Sequence, residues 1–129
     1  MKVKVRQHDK NIRDSKKEMI DEFIKFMFTQ YPLENDIEIN FLPHRKGKMT
    51  TGSRSENGII KVLTKNRITR DIIRTIAHEW IHEYQRDILG RDRGPDIGGL
   101  NEDEANALAG SLIKKFEKKF PNLEEKMYE

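Results

Sequence analysis

The chain has no cysteine among its 129 residues, which excludes disulfide bonds and thiolate metal ligands. This absence fits a reducing compartment, and we predict a cytoplasmic protein. No apolar run approaches the roughly 20 residues of a membrane-spanning helix, so we expect no membrane segment. The basic start at Met1–Arg6 is not followed by an apolar stretch, and we therefore expect no signal peptide.

An excess of charge of one sign is also missing, because the net charge is only +3 although 36% of the residues are charged. Such a mixed chain does not require a nucleic acid or an anionic membrane as its partner. The length predicts a single domain, residues 1–129, with one hydrophobic core. The oligomeric state is not readable from these features.

Apolar spacing along the chain predicts an α+β fold. Ser15 and Glu18 have the spacing of a capping box, which predicts a helix start. Asn57-Gly58 predicts a hairpin turn, so we expect a small, mostly antiparallel sheet. The predicted elements are a strand at Val3 and Val5, a helix from Ser15 to Tyr31, strands at Ile37–Phe41, Met49–Arg54 and Ile59–Leu63, a helix from Asn66 or Thr69 to about Leu89, and a last helix from about Asn101 to Lys119.

The most informative segment runs from His78 to His82 and reads H-E-x-x-H inside the predicted long helix. Histidines four residues apart lie about 40° apart on one helix face, so both imidazoles can bind one metal ion. The carboxylate of Glu79 can take a proton from a metal-activated water. Chance accounts for this pattern in only about one per cent of chains of this composition. The segment predicts a zinc-dependent hydrolase, with peptide bonds as the expected substrate.

Catalytic zinc usually has three protein ligands and one open position. No histidine follows His82, so the third ligand must be a carboxylate, and the acidic start of the last helix supplies three candidates. At about 100° per residue, Glu102 lies near the apolar face of that helix, whereas Asp103 lies off it and Glu104 points nearly opposite. We therefore predict Glu102 as the third ligand.

Residues near the predicted metal ligands are predicted to have supporting roles. Asn101 is predicted as the N-cap of the last helix, with Glu104 as its capping partner three residues later. Asn106, one turn after the predicted ligand Glu102, is a candidate hydrogen-bond partner for a ligand histidine. Hydrolysis also needs a donor for the oxyanion, and the sequence leaves three candidates open: His44, Arg45 and Tyr128.

The H-E-x-x-H segment and the later segment Glu102–Asn106, which reads E-x-x-A-N, resemble the gluzincin branch of the zincin metallopeptidases. The closest resemblance is to small ImmA/IrrE-type enzymes of bacteria and phages, and it covers roughly Ile59–Ile113. It implies a minimal zincin-like domain whose sheet packs on the H-E-x-x-H helix and on the last helix. Ile81 departs from the pattern, because many such enzymes have a small residue there.

The resemblance also implies a site. His78, His82 and Glu102 would bind one Zn²⁺ per chain, and Glu79 would act as general base. A protein or peptide substrate would lie along an edge strand, for which either Met49–Arg54 or Ile59–Leu63 is a candidate.

Two other readings stay open. The first is a regulatory or structural protein that binds zinc but hydrolyses little. The second is a basic module that binds nucleic acid or another charged partner, although a solvated helix face explains the lysines of the last helix better. The residues behind the second reading are Lys46, Lys48, Arg54, Lys114, Lys115, Lys118 and Lys119.

Overall fold

The protein is represented by a computed structural model that describes residues 1–44, 52–54, 58–91 and 99–129. Within these ranges the strands and helices follow the predicted order, and one 3₁₀ helix is added after the last α-helix. The elements are β1 (Val3–Gln7), α1 (Asp14–Gln30), β2 (Ile37–Leu42), β3 (Gly52–Arg54), β4 (Ile59–Leu63), α2 (Thr69–Asp87), α3 (Leu100–Lys119) and the 3₁₀ helix (Pro121–Tyr128).

The sheet has the strand order β1-β2-β4-β3. Strands β1 and β4 both run parallel to β2, and only β3 runs antiparallel, to β4. The prediction of a mostly antiparallel sheet is therefore wrong. Alternating apolar residues report which face of a strand is buried, but not the direction of its neighbour. The direction of β2 relative to β1 is decided by α1, which carries the chain back across the sheet and makes β1-α1-β2 a parallel crossover unit. Strand β4 runs parallel to β2 because β3, which lies between them in the chain, runs in the opposite direction.

One face of the sheet packs against the helices. Ile39 and Phe41 of β2 pair in register with Ile60 and Val62 of β4, and all four side chains are fully buried. The opposite face is polar, as the exposed ion pair that Arg6 of β1 makes with β2 illustrates. This one-sided burial also occurs in a mostly parallel sheet. The period-2 alternation of apolar residues therefore predicts correctly which face of a strand is buried, but it does not predict the direction of the neighbouring strands.

Two predicted helix caps are not formed. The N-cap of α1 is Arg13, without a side-chain hydrogen bond, and the hydroxyl of Ser15 donates to Glu129 Oε2 at 3.2 Å instead. The N-cap of α3 is Gly99, so Asn101 lies inside the helix. In both cases the predicted start is correct to within two residues, but a different residue occupies the cap.

The long helix α2 begins at Thr69, one of its two predicted starts, and Gly90 follows its end with a φ of 63°. The predicted turn residue Asn57 lies outside the described residues. None of the helices in the described ranges is long and apolar enough to cross a membrane. The cytoplasmic location stays a prediction.

Candidate metal centre

The rotation of α2 about its axis is set by its apolar face. Ile72, Ile73, Ile76 and Trp80 are fully buried on that face. The indole N–H of Trp80 also donates to the main-chain oxygen of Tyr31 at 2.8 Å, which ties α2 to the end of α1. The helix therefore has to present the remaining stripe, with both motif histidines, toward α3 and β3.

The structure brings His78, His82 and Glu102 together. The Nε2 atoms of the two imidazoles are 3.2 Å apart. The Glu102 carboxylate faces both rings, with one oxygen 3.0 Å from Nε2 of His78 and the other 2.8 Å from Nε2 of His82. Two side chains of α2 and one of α3, 20 residues further along the chain, thus converge on one point. Their role as metal ligands stays a prediction, which the spacing of these atoms supports.

Two antiparallel helices produce this convergence. Side chains of α2 meet α3 about once per turn, and the order along α3 is the reverse of the order along α2. The contacting pairs are Arg70 with Glu117, Arg74 with Gly110, His78 with Asn106, His82 with Glu102, and Gln85 with Asn101. The hydrogen bond between the side chains of His78 and Asn106 agrees with the partner predicted for a ligand histidine.

Gln85 has a role that sequence reasoning missed. Its side-chain oxygen lies 2.9 Å from Nδ1 of His82, and its amide nitrogen donates to the main-chain oxygen of Asn101 at 3.0 Å. This donation orients the amide so that its oxygen faces the imidazole and can accept a hydrogen from Nδ1 of His82. In the tautomer with its hydrogen on Nδ1, the Nε2 lone pair would be directed at the centre. The signal in the sequence that could have identified Gln85 was its position three residues after His82 on the same helix.

Contrary to the prediction, Glu104 does not cap α3. Its carboxylate accepts hydrogen bonds from Gln85 at 3.1 Å and from Arg91 at 2.8 Å. The hydrogen bonds from Gln85 and then Arg91 lower the pKa of Glu104, so it stays ionised. A chain of contacts therefore links Arg91 through Glu104 and Gln85 to His82. Such a chain limits the orientations of the buried His82 ring.

Burial lowers the pKa of the His78 imidazole, and its electrostatic interactions with His82 and Arg74 act in the same direction. The carboxylate of Glu102 and the hydrogen bond to Asn106 oppose this effect without cancelling it. A lowered pKa keeps the imidazole neutral, which is the form that binds metal.

The centre lies in a cleft of about 470 Å³. Helix α2 forms the floor, β3 one wall and α3 the other. The lining residues are Gly52, Arg67, Asp71, Arg74, Thr75, His78, Glu79, Glu102 and Asn106. The two arginines were not predicted as site residues, because nothing in the sequence distinguishes them from the other basic residues of the chain.

Glu79 faces the β3 side of this cleft. A Cβ built on Gly52 would lie 3.4 Å from Cγ of Glu79 and 2.4 Å from Cγ2 of Thr75. Strand β3 therefore approaches α2 closely only because residue 52 has no side chain. Among the described strands, β3 ends the strand order and is the edge beside the cleft, whereas the other predicted candidate, β4, is interior.

Neither of the two oxyanion-donor candidates that the structure describes, Tyr128 and His44, lines this cleft. Tyr128 lies in the 3₁₀ helix with 60% of its surface exposed, and His44 is exposed after β2. Arg45 lies outside the described residues. The same is true of Lys46 and Lys48, two of the residues behind the hypothesis of a basic module that binds a charged partner.

The donor set fits a zinc ion. Neighbouring ligand atoms in a tetrahedral site with Zn–N bonds of about 2.0–2.1 Å lie about 3.3 Å apart. The corresponding atoms here are separated by 2.8–3.2 Å. Two imidazoles and one carboxylate are also a ligand set of catalytic zinc sites that keep a position open for water.

Comparison of the chain with protein-family models, with curated proteins and with solved structures finds no significant match. The geometry of the site and the residue pattern are therefore the observations that bear on the function.

Proposed function

We propose that the protein is a zinc-dependent peptidase that hydrolyses peptide bonds in the cleft on α2. The observation that carries this proposal is the convergence of His78, His82 and Glu102 on one point, with Glu79 in the same cleft. One zinc ion would be bound per chain. A binding site for zinc alone would not need an acidic side chain beside the ligands, whereas hydrolysis needs a base there.

Each residue has a separate task in this mechanism. The two histidines and Glu102 hold the ion, and Gln85 and Asn106 orient the imidazoles. A zinc ion held there supplies Lewis acidity toward water and toward a peptide carbonyl. Glu79 takes the proton of the attacking water and delivers it to the leaving nitrogen. An extended peptide beside β3 would bring its main chain across the cleft as an added strand.

The resemblance to gluzincins supports the same proposal from the residue pattern. The E-x-x-A-N segment begins at the acid that faces both histidines, Glu102. Ile81, where many ImmA/IrrE-type enzymes have a small residue, is fully buried in the core and does not line the cleft. A larger residue at this position therefore does not obstruct the proposed substrate path.

The test compares Glu79→Gln with the wild type. We expect the variant to bind one zinc and to hydrolyse peptides about 10²–10⁴-fold more slowly, since it lacks the general base. Zinc content is measured by elemental analysis, and cleavage of a diverse peptide mixture by mass spectrometry. The matched control is Glu18→Gln, because Glu18 is exposed on α1 away from the cleft.

Three outcomes are distinguishable. Wild-type cleavage that is lost in Glu79→Gln but kept in Glu18→Gln supports the proposal. Equal cleavage by Glu79→Gln and wild type would exclude Glu79 as the base. A zinc-loaded wild type that cleaves nothing would contradict the peptidase function and favour a zinc-binding protein with a regulatory or structural role.

A further inference from the structure

Arg74 lies one helical turn before His78 on the cleft floor, on the side of α3. One guanidinium nitrogen is 4.0 Å from the position that a Cβ on Gly110 would occupy. Gly110 is eight residues after Glu102 on α3, a rise of about 12 Å, whereas Arg74 and His78 are separated by a rise of about 6 Å on α2. The charge of Arg74 therefore lies in the same cleft as the candidate metal centre, but displaced along it.

The cationic group of Arg74 is available to a ligand. The side chain is exposed, and within the described ranges it makes no hydrogen bond or ion pair with a carboxylate. The arginine one turn earlier differs in this respect, since Nε of Arg70 is 3.1 Å from Glu117. Glu102 and Asn106, the polar α3 residues that line the cleft, both contact the histidines instead.

The second arginine of the cleft is already engaged. The guanidinium of Arg67 donates to the main-chain oxygens of Leu63 and Asp71 and to the hydroxyl of Thr75, at 2.7–2.8 Å. The negative charge of Asp71 also acts on Arg67. The charges of Arg67 and Asp71 therefore balance each other, and among the described residues that line the cleft Arg74 is the cation without such a partner.

We propose that Arg74 is a carboxylate-binding subsite of the cleft, and that the protein prefers peptides with an acidic group two or three residues from the cleaved bond. An extended peptide advances about 3.3 Å per residue, so a displacement of about 6–12 Å corresponds to this separation. The planar guanidinium can bind a carboxylate through two parallel hydrogen bonds. The carboxylate belongs either to an Asp or Glu side chain or to the free end of the peptide. This inference rests on the proposed peptidase function.

The test measures binding separately from hydrolysis. Fluorescein-labelled hexapeptides are titrated with zinc-loaded Glu79→Gln protein and followed by anisotropy. One peptide carries Glu at the third position, a second carries Gln there, and both have amidated ends, while a third carries Gln and a free carboxyl end. We expect the carboxylate-bearing peptides to bind about tenfold more tightly than the amide, as expected for a hydrogen bond to a charged group.

Arg74→Gln in the same Glu79→Gln background should abolish the difference between the peptides. Arg13→Gln is the matched control, since it removes the same charge from an exposed position outside the cleft, and should preserve the difference. A preference for only the Glu peptide assigns the subsite to an acidic side chain. A preference for only the free end assigns it to the peptide terminus.

Two results would overturn the inference: equal binding of acidic and amide peptides, or a preference that survives in Arg74→Gln. Failure of the proposed peptidase function is distinguishable from both results, because the zinc-loaded wild type would then hydrolyse no peptide. Hydrolysis without any acidic preference would leave the peptidase proposal standing and remove only the role of Arg74.

Discussion

Two clefts of similar volume differ in how their polar groups are satisfied. The cleft on α2, here named the metal cleft after the candidate centre in it, measures about 470 Å³, and the second cleft, at the ends of β1 and β4, about 410 Å³. In the second cleft Asp9 is buried, with only 4% of its surface exposed. One of its oxygens accepts from the main-chain N–H of Asn11 at 3.0 Å and the other from the hydroxyl of Thr64 at 2.8 Å.

In the metal cleft, by contrast, polar atoms converge. The Nε2 atoms of His78 and His82 face each other and the same carboxylate. In the second cleft each carboxylate oxygen of Asp9 has its own partner, as expected for a buried polar group that stabilises the fold. Volume does not separate the two clefts, whereas convergence of potential ligands does. The following predictions test this distinction.

The largest expected effect is on zinc affinity in Glu102→Gln. The substitution keeps the size of the side chain but removes its charge. Loss of a direct ligand should exceed the roughly 10–100-fold that loss of an outer hydrogen-bond partner costs. Affinity is measured by competition with a chromogenic chelator. Asp103→Asn, an exposed neighbour with the same change of charge, should bind zinc like the wild type, and equal affinities of the two variants would move the third ligand elsewhere.

Gln85→Met should lower zinc affinity by about 10–100-fold, because the ring of His82 loses the acceptor that fixes its Nδ1 hydrogen. The same chelator competition measures the effect. Gln30→Met makes the same chemical change in α1, where the side chain accepts a hydrogen bond from Lys115, and it should leave zinc affinity unchanged. An unaltered affinity in Gln85→Met would show that the hydrogen bond does not influence the centre.

Gly52→Ala should destabilise the fold by about 1–3 kcal/mol, the usual cost of overpacking, because its Cβ would lie 2.4 Å from Thr75. Urea unfolding is followed by the fluorescence of the single, buried tryptophan, Trp80. Gly110→Ala is the contrasting variant, since its nearest neighbour is the end of Arg74 at 4.0 Å. That change should stabilise α3 by up to about 1 kcal/mol. Equal stabilities would contradict the close approach of β3 to α2.

The smallest effect is expected in the second cleft. Thr64→Val removes the hydroxyl that donates to Asp9, and should lower the free energy of unfolding by about 1 kcal/mol. This is the lower end of the usual cost of leaving a buried acceptor without its donor, because water can enter this cleft. Zinc affinity should not change. Thr29→Val, at an exposed position of α1, serves as the control for stability. A loss of zinc affinity in Thr64→Val would show that the two clefts are not independent.

Prediction from the sequence succeeded where short-range spacing decides the outcome. The order of strands and helices, the helix starts to within two residues and the shared face of His78 and His82 all depend on local periodicity. It failed for the strand direction and for both helix caps. Several residues compete for a cap within one turn, and Ser15 and Glu104 found partners in distant elements instead.

The sequence by itself determined that two imidazoles and Glu79 share one turn of a helix, because α-helical geometry is set by neighbours along the chain. It also restricted the third ligand to a short acidic segment. Only the tertiary structure decided that Glu102 faces both rings, that Gln85 orients His82 and that Arg74 lies in the same cleft. Each of these contacts depends on the antiparallel packing of α2 on α3, which the buried apolar faces of both helices determine together.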